Sequence, residues 1–151
     1  MNPLFGEFEC KVDAKGRFLL PAGLLRQMDG PDVEEFVIKQ GPDGNLEMYP
    51  TRVFQDELMR IAQKNRHQAQ TRRFLRAFQQ GSRRVNPDGN NRLLIPKPLI
   101  ESAGIEKEIV LIAAIDRVEI WNKPDYEAWL NDEANDLAEL SEAVMGEDDN
   151  G

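Results

Sequence analysis

The sequence predicts a mostly β fold with helices, built from two tandem, pseudo-symmetric copies of one module. The first observation is a repeat: residues 13–25 (DAKGRFLLPAGLL) align without gaps with residues 88–100 (DGNNRLLIPKPLI), at an offset of 75 residues. A second block follows in the same order: residues 46–49 (LEMY) match residues 118–121 (VEIW). Short apolar segments alternate with turn residues in both copies, which is typical of strands. Together these patterns indicate an internal duplication.

The first copy, residues 5–51, begins with a strand whose apolar side chains recur at every second position: Phe8, Cys10 and Val12. A turn follows, in which Asp13 can accept a hydrogen bond from the backbone two residues on and Gly16 can take a positive φ. The remaining elements predicted in this copy are strands at 17–20, 36–40 and 46–49, and a short helix at 22–28.

The second copy, residues 81–124, repeats this order with strands at 83–85, 92–95, 108–113 and 117–121, and a helix at 97–103. In its turn, Asp88 takes the place of Asp13. Asn91 takes the place of Gly16, and asparagine is among the residues that adopt the left-handed conformation most readily after glycine.

A helical insert, residues 52–80, separates the copies, and residues 125–151 are predicted to form a C-terminal helix and an acidic tail. Thr51 is the expected N-cap of the insert. Its apolar positions recur at helical spacing in two groups: Phe54, Leu58, Ile61 and Phe74, Leu75, Phe78. The last seven residues, 145–151, are acidic or small apart from Met145 and are expected to be disordered.

Each half has only about 75 residues, a size at which a domain buries little more than ~60% of its unfolded surface. Two such halves are therefore expected to share one core and to fold as a single unit.

Charge is unevenly distributed along the chain, which has a net charge of −8. Residues 52–84 carry 9 basic and 2 acidic side chains, whereas residues 125–151 carry no basic and 10 acidic side chains. Such segregation creates local fields that the net charge conceals. The arginines of the insert and the following strand (Arg72, Arg73, Arg76, Arg83 and Arg84) could form a basic surface for DNA, neutralise the acidic tail, or lie at a subunit interface.

Several classes of protein are disfavoured. Cys10 is the only cysteine and His67 the only histidine, so a disulfide and a Cys/His metal site are not expected. There is no phosphate-binding glycine loop, and nothing marks two carboxylates as a catalytic pair. The longest apolar run, residues 109–115, is too short to span a membrane, and no secretory signal is visible. The sequence thus predicts a cytoplasmic protein that is not an enzyme, with no cofactor, metal or membrane partner.

The pattern D-x-x-x-R, three apolar residues and proline occurs twice with a helical insert between, and in this it resembles the MraZ family. The resemblance covers residues 5–129 and includes the LEMYP and VEIWN strands. It implies two SpoVT-AbrB-like modules with the swapped-hairpin β-barrel architecture of that fold. It also implies a nucleoid-associated transcriptional regulator that acts as a repressor. It further implies that the protein binds short direct repeats in double-stranded DNA upstream of the division and cell-wall gene cluster, and that it assembles into homo-oligomeric rings.

Transferred to this sequence, the resemblance implies that Arg17 and Arg92 contact DNA, with Lys15 adding attraction for phosphate. Asp13, Gly16, Asp88 and Asn91 position the two turns. Arg92 is expected to contribute less than Arg17, because Asn90 replaces Lys15 and Asn91 replaces Gly16.

Two other interpretations remain open on the sequence alone. The arginines could serve only as surface partners of Asp13 and Asp88, each pair contributing ~0–1 kcal/mol. The chain could also be an antitoxin-like protein-interaction module of AbrB/MazE fold, in which the acidic tail would contact a basic partner. A hydrolase that uses clustered carboxylates is a remote third hypothesis.

Overall fold

The computed structural model describes residues 2–65 and 67–149 of the 151-residue chain. Its strands are β1 (Leu4–Lys11), β2 (Arg17–Leu19), β3 (Phe36–Gln40), β4 (Leu46–Pro50), β5 (Arg83–Val85), β6 (Arg92–Leu94), β7 (Glu108–Ile115) and β8 (Arg117–Asn122). Its α-helices are α1 (Ala22–Leu25), α2 (Thr51–Ala62), α3 (Ala69–Phe78), α4 (Lys97–Ser102), α5 (Lys123–Asn131) and α6 (Leu137–Asp149). Short 3-10 helices lie at Gly30–Val33 and Glu133–Asn135. The predicted class, mostly β with helices in two tandem copies, is confirmed.

The strands form a six-stranded sheet in the order β1-β7-β8-β4-β3-β5 and a separate two-stranded ribbon of β2 and β6. Every pairing is antiparallel. The outer strands are exchanged between the copies: β1 of the first copy pairs with β7 of the second, and β5 of the second pairs with β3 of the first. Because neither copy has a complete sheet without the other, the expectation of one folded unit is confirmed.

One hydrophobic core joins the copies. It contains Phe18, Leu24, Ile38 and Met48 from the first and Leu93, Leu99, Leu111 and Ile120 from the second. Burying a side chain of this size contributes roughly 1.5–3 kcal/mol. Separating the halves would expose this surface in both, which is why the core belongs to neither alone.

Two smaller clusters attach the helices to the sheet at equivalent strands. Tyr49 of β4 packs against Phe54 of α2 and Phe78 of α3, with ring centroids 5.4 and 6.3 Å away. At the matching position of β8, Trp121 packs against Tyr126 of α5 with centroids 5.7 Å apart. The shared spacing of the two copies therefore places an aromatic anchor under each following helix.

A buried ion pair lies beneath the insert. Lys39 of β3 stands opposite Glu47 of β4, and its Nζ is 3.2 Å from Glu47 Oε1. The same ammonium lies 4.6 Å from the centroid of the Phe78 ring and donates to the Gln40 carbonyl. Arg117 of β8 approaches Glu47 at 3.8 Å. These contacts compensate the cost of burying the charges.

Two local expectations differ from the structure. Thr51 does not cap α2, because Pro50 occupies the N-cap position and the Thr51 hydroxyl donates instead to the Glu35 carboxylate at 3.0 Å. Helix α1 ends at Leu25 instead of residue 28. The two apolar groups predicted in the insert lie on α2 and α3.

The C-terminal segment also differs. Residues 145–149, expected to be disordered, continue α6, whereas residues 150–151 lie outside the described part of the chain. The start of α6 has a local cause: the Asp136 side chain accepts a hydrogen bond from the backbone N–H of Glu139 at 3.2 Å, which is an N-cap arrangement.

Candidate nucleic-acid interface

The β2–β6 ribbon brings both predicted arginines onto one face. Arg17 stands opposite Leu94 and Leu19 stands opposite Arg92. Directly opposed residues of antiparallel strands lie on the same side, and alternate residues of a strand share a side. These four side chains, which we call the outer ribbon face, are therefore adjacent, while Phe18 and Leu93 between them are buried in the core.

The first D-x-x-x-R turn is held by its aspartate. Asp13 Oδ1 accepts hydrogen bonds from the backbone N–H groups of Lys15 and Arg17, both at 2.9 Å, and Oδ2 accepts one from Arg17 Nε at 2.9 Å. The pKa of Asp13 is lowered, first by the backbone hydrogen bond from Arg17. Gly16 has φ +87°, a conformation in which glycine is favoured. The turn and the guanidinium are thus oriented by one carboxylate.

The second turn has the same geometry despite its different sequence. Asp88 accepts from the backbone N–H groups of Asn90 and Arg92 and from Arg92 Nε, each at 2.9 Å. The backbone hydrogen bond from Arg92 is the main cause of the lowered pKa of Asp88. Asn91 takes φ +60°. The two motifs therefore differ in charge, with Asn90 in place of Lys15, more than in shape.

Hydrogen bonds between the copies fix the turns relative to each other. The backbone N–H of Ile95 donates to the Gly16 carbonyl, and that of Leu20 donates to the Asn91 carbonyl, both at 2.9 Å. Because each turn is bonded to the residue that follows the ribbon strand of the other copy, the separation of Arg17 and Arg92 is set by the fold.

The ion pairs with aspartate leave the ends of both guanidinium groups available. Arg17 and Arg92 use Nε toward Asp13 and Asp88, and their side chains remain 30% and 36% exposed. Within the described part of the chain, no acceptor contacts their terminal nitrogens. A guanidinium in this state can still bind a phosphate or the O6/N7 edge of guanine with two hydrogen bonds. Structural pairing and DNA contact are therefore compatible.

Five further arginines that could form a basic surface lie on α3 and on β5, which belongs to the six-stranded sheet and not to the ribbon. Arg72 donates to the His67 carbonyl, Arg83 donates to the Ser82 carbonyl, and Arg84 lies 3.7 Å from Glu35. Arg73 and Arg76 are exposed. None of these arginines forms an ion pair with α6 among the side chains that the structure describes. The described side chains therefore do not support the interpretation that these arginines neutralise the acidic tail of their own chain.

Sequence reasoning missed two members of the outer ribbon face, Leu19 and Leu94. Each belongs to the apolar triplet after the motif arginine and was assigned only to a strand. The period of two in a strand was the available signal, since it places Leu19 on the side of Arg17 and opposite to Phe18. The structure leaves 60% of Leu19 and 48% of Leu94 exposed.

Over residues 2–65 and 67–149, the structure contains no group of His, Cys, Asp and Glu side chains arranged to hold a metal ion. No helix in that part is long and apolar enough to cross a membrane. Cys10 is half-buried on β1, less enclosed than the strand pattern suggested.

Comparison with known proteins agrees with the duplicated architecture. The model of the family described as "MraZ protein, putative antitoxin-like" matches residues 4–77 and again residues 78–147. A transcriptional regulator MraZ from Christiangramia forsetii is 47% identical, with 99% of this chain and 97% of the relative covered. Proteins of the same name from Flavobacterium psychrophilum and Cytophaga hutchinsonii are 40% and 34% identical, with 97% and 93% of this chain and 94% and 93% of the relatives covered. This chain belongs to the MraZ family.

Proposed function

We propose that this chain is a sequence-specific transcriptional regulator that binds double-stranded DNA through the outer ribbon face. The observation that carries the proposal is the pair of Asp–Arg turns, which hold Arg17 and Arg92 on one side of a two-stranded ribbon with their terminal nitrogens available. The major groove of DNA is wide enough to admit such a ribbon. The names of the relatives, transcriptional regulator MraZ, support the same function.

The proposed target is a set of short direct repeats upstream of the division and cell-wall gene cluster, where binding would repress transcription. This part rests on the family resemblance. It implies a cytoplasmic, nucleoid-associated protein without catalytic activity.

Charge suggests that a single ribbon binds weakly. The chain carries −8 overall, and the two D-x-x-x-R motifs contribute three cations, Lys15, Arg17 and Arg92. Repetition of the ribbon in a homo-oligomer would compensate, because the second and later contacts with tandem repeats become effectively intramolecular. We therefore propose a closed ring of subunits as the DNA-binding form.

Exposed apolar side chains offer surfaces for that assembly. Phe74 of α3 is exposed and lines a cavity of about 420 Å³ between α2 and α3. Met59 is exposed on α2, and Leu137 and Val144 are exposed on α6. Light scattering at micromolar concentration should therefore give a mass several times that of the 17.2 kDa chain. A monomer under these conditions would contradict the ring.

The DNA-binding proposal is tested by fluorescence anisotropy with the DNA upstream of the chain's own coding sequence, beside a scrambled duplex. Arg17→Ala is expected to weaken binding by about 5- to 150-fold if Arg17 bonds one base edge with two hydrogen bonds, since such an interaction is worth roughly 1–3 kcal/mol. Arg92→Ala should weaken binding less, because Asn90 leaves its motif with one cation fewer. Arg73→Ala, an exposed arginine on α3, is the matched control and should bind as the wild type does.

The salt dependence separates two modes of binding. An arginine that binds phosphate contributes about 0.9 to the slope of log K against log salt, so its removal lowers the slope and leaves sequence preference intact. Removal of an arginine that reads a base edge reduces the preference. If Arg17→Ala binds like the wild type while Arg73→Ala does not bind, the basic insert is the interface. No preference for the upstream DNA over the scrambled duplex would instead favour the antitoxin-like interpretation.

A further inference from the structure

The two leucines of the outer ribbon face, Leu19 and Leu94, are exposed to solvent and do not belong to the hydrophobic core. Phe18 and Leu93, their neighbours in the ribbon, are 1% and 0% exposed and contribute to the core. Leu19 and Leu94 point the other way and contact solvent. We propose that they are specificity-determining residues that contact the 5-methyl groups of thymine, and this inference rests on the proposed DNA-binding function.

Register places each leucine beside an arginine. Leu94 is directly opposite Arg17, and Leu19 is directly opposite Arg92. The Cβ atoms of such cross-strand pairs are about 4.5–5.5 Å apart. Successive base pairs are about 3.4 Å apart along the helix axis. A leucine and its opposite arginine therefore reach bases within about two steps of each other.

The chemistry of the major groove determines which group a leucine can contact. The base edges there present hydrogen-bond donors and acceptors, and the 5-methyl of thymine is the apolar group among them. An arginine next to the leucine is suited to guanine O6 and N7. The outer ribbon face thus predicts a guanine and a thymine within about two base pairs of each other, once for each copy of the module.

Charge favours DNA over a protein as the occupant of this face. Each leucine position has both arginine positions as its neighbours on this face, one across the ribbon and one two residues along its own strand. The terminal nitrogens of these arginines lack acceptors in the described part of the chain. Docking an apolar protein surface here would bury two cations, which is costly without paired anions. The DNA backbone and guanine edges supply acceptors on both sides of a thymine methyl.

The test compares thymine with deoxyuridine, which lacks only the 5-methyl group. The upstream DNA is prepared in both forms, and affinities are measured for the wild type, Leu19→Ala and Leu94→Ala. Removal of one contacted methyl is expected to weaken wild-type binding about fourfold. Leu19→Ala should weaken binding to the thymine duplex similarly and reduce the difference between the duplexes by the share of one methyl, with Leu94→Ala removing the other share. Leu19→Met retains an apolar side chain and should retain the difference.

Leu130→Ala is the matched control, because Leu130 is an exposed leucine on α5, away from the ribbon in sequence. It should show the full wild-type penalty for deoxyuridine, and thermal melting of each variant verifies its fold. If Leu19→Ala and Leu94→Ala both retain that penalty while Arg17→Ala loses affinity, the leucine inference is wrong and the proposed function stands. If Arg17→Ala has no effect, the ribbon is not the interface and both proposals are wrong.

Discussion

Replacement of Gly16 by alanine should destabilise the protein through the turn that carries Arg17. An alanine Cβ would lie 2.8 Å from Ile100 Cδ1 and 3.2 Å from the Ile95 carbonyl oxygen, at a backbone φ of +87°. The left-handed conformation costs an alanine about 1–2 kcal/mol, and crowding in a packed site typically costs about 1–3 kcal/mol. We expect the free energy of unfolding to fall by about 2–5 kcal/mol, the sum of the two costs.

For a chain of this length, that decrease corresponds to a decrease in Tm of roughly 4–20 °C. The assay is thermal and urea unfolding, monitored by circular dichroism at one fixed protein concentration because assembly also changes apparent stability. Gly89→Ala is the control: it lies in the equivalent turn, has no atom within 4 Å of an added Cβ and has no positive φ. Its stability should stay within about 0.5 kcal/mol of the wild type.

Asn91→Ala provides a second comparison, because Asn91 occupies the position equivalent to Gly16 at φ +60°. This variant adds no Cβ and should lose about 1 kcal/mol, the part of the cost that comes from conformation alone. The reasoning fails if Gly16→Ala and Gly89→Ala have the same free energy of unfolding, or if Asn91→Ala lowers the free energy of unfolding more than Gly16→Ala does.

Two further predictions concern buried groups. Glu47→Ala should destabilise the protein by about 3 kcal/mol, because it leaves the Lys39 ammonium buried without its carboxylate partner; the double variant Lys39→Met/Glu47→Leu should lose less in urea unfolding. An equal or larger destabilisation of the double variant would contradict this account. Burial raises the pKa of the Cys10 thiol to about 11. Since the ordinary pKa of the thiol is 9.0, Cys10 should react with a disulfide reagent at pH 8 about 100-fold more slowly than an exposed thiol, and the rate should rise about tenfold per pH unit up to pH 10. A rate that levels off near pH 9 would show that the thiol is not shielded.

The sequence alone determined the features that depend on local pattern. The strands at 36–40 and 83–85 were predicted with the bounds that the structure gives to β3 and β5. Strong turn residues and strand-forming side chains specify such segments within a few positions. The repeat likewise indicated two equivalent turns. Helix ends were predicted less well, as Thr51 and the last residues of α6 show, because capping depends on which neighbours a side chain can reach.

Only the tertiary structure decided which strands pair. Nothing local in β1 distinguishes pairing with its own copy from its observed pairing with β7, because exchange between two similar modules preserves every local preference. The choice is made by the shared core, which places Phe18 against Leu93 across the ribbon. That same register turns Leu19 and Leu94 outward beside the two arginines. The sequence therefore determined which arginines and turn residues the candidate site contains in each copy. The fold brought them onto one face, because burial of apolar surface from both copies favours a single arrangement of the strands.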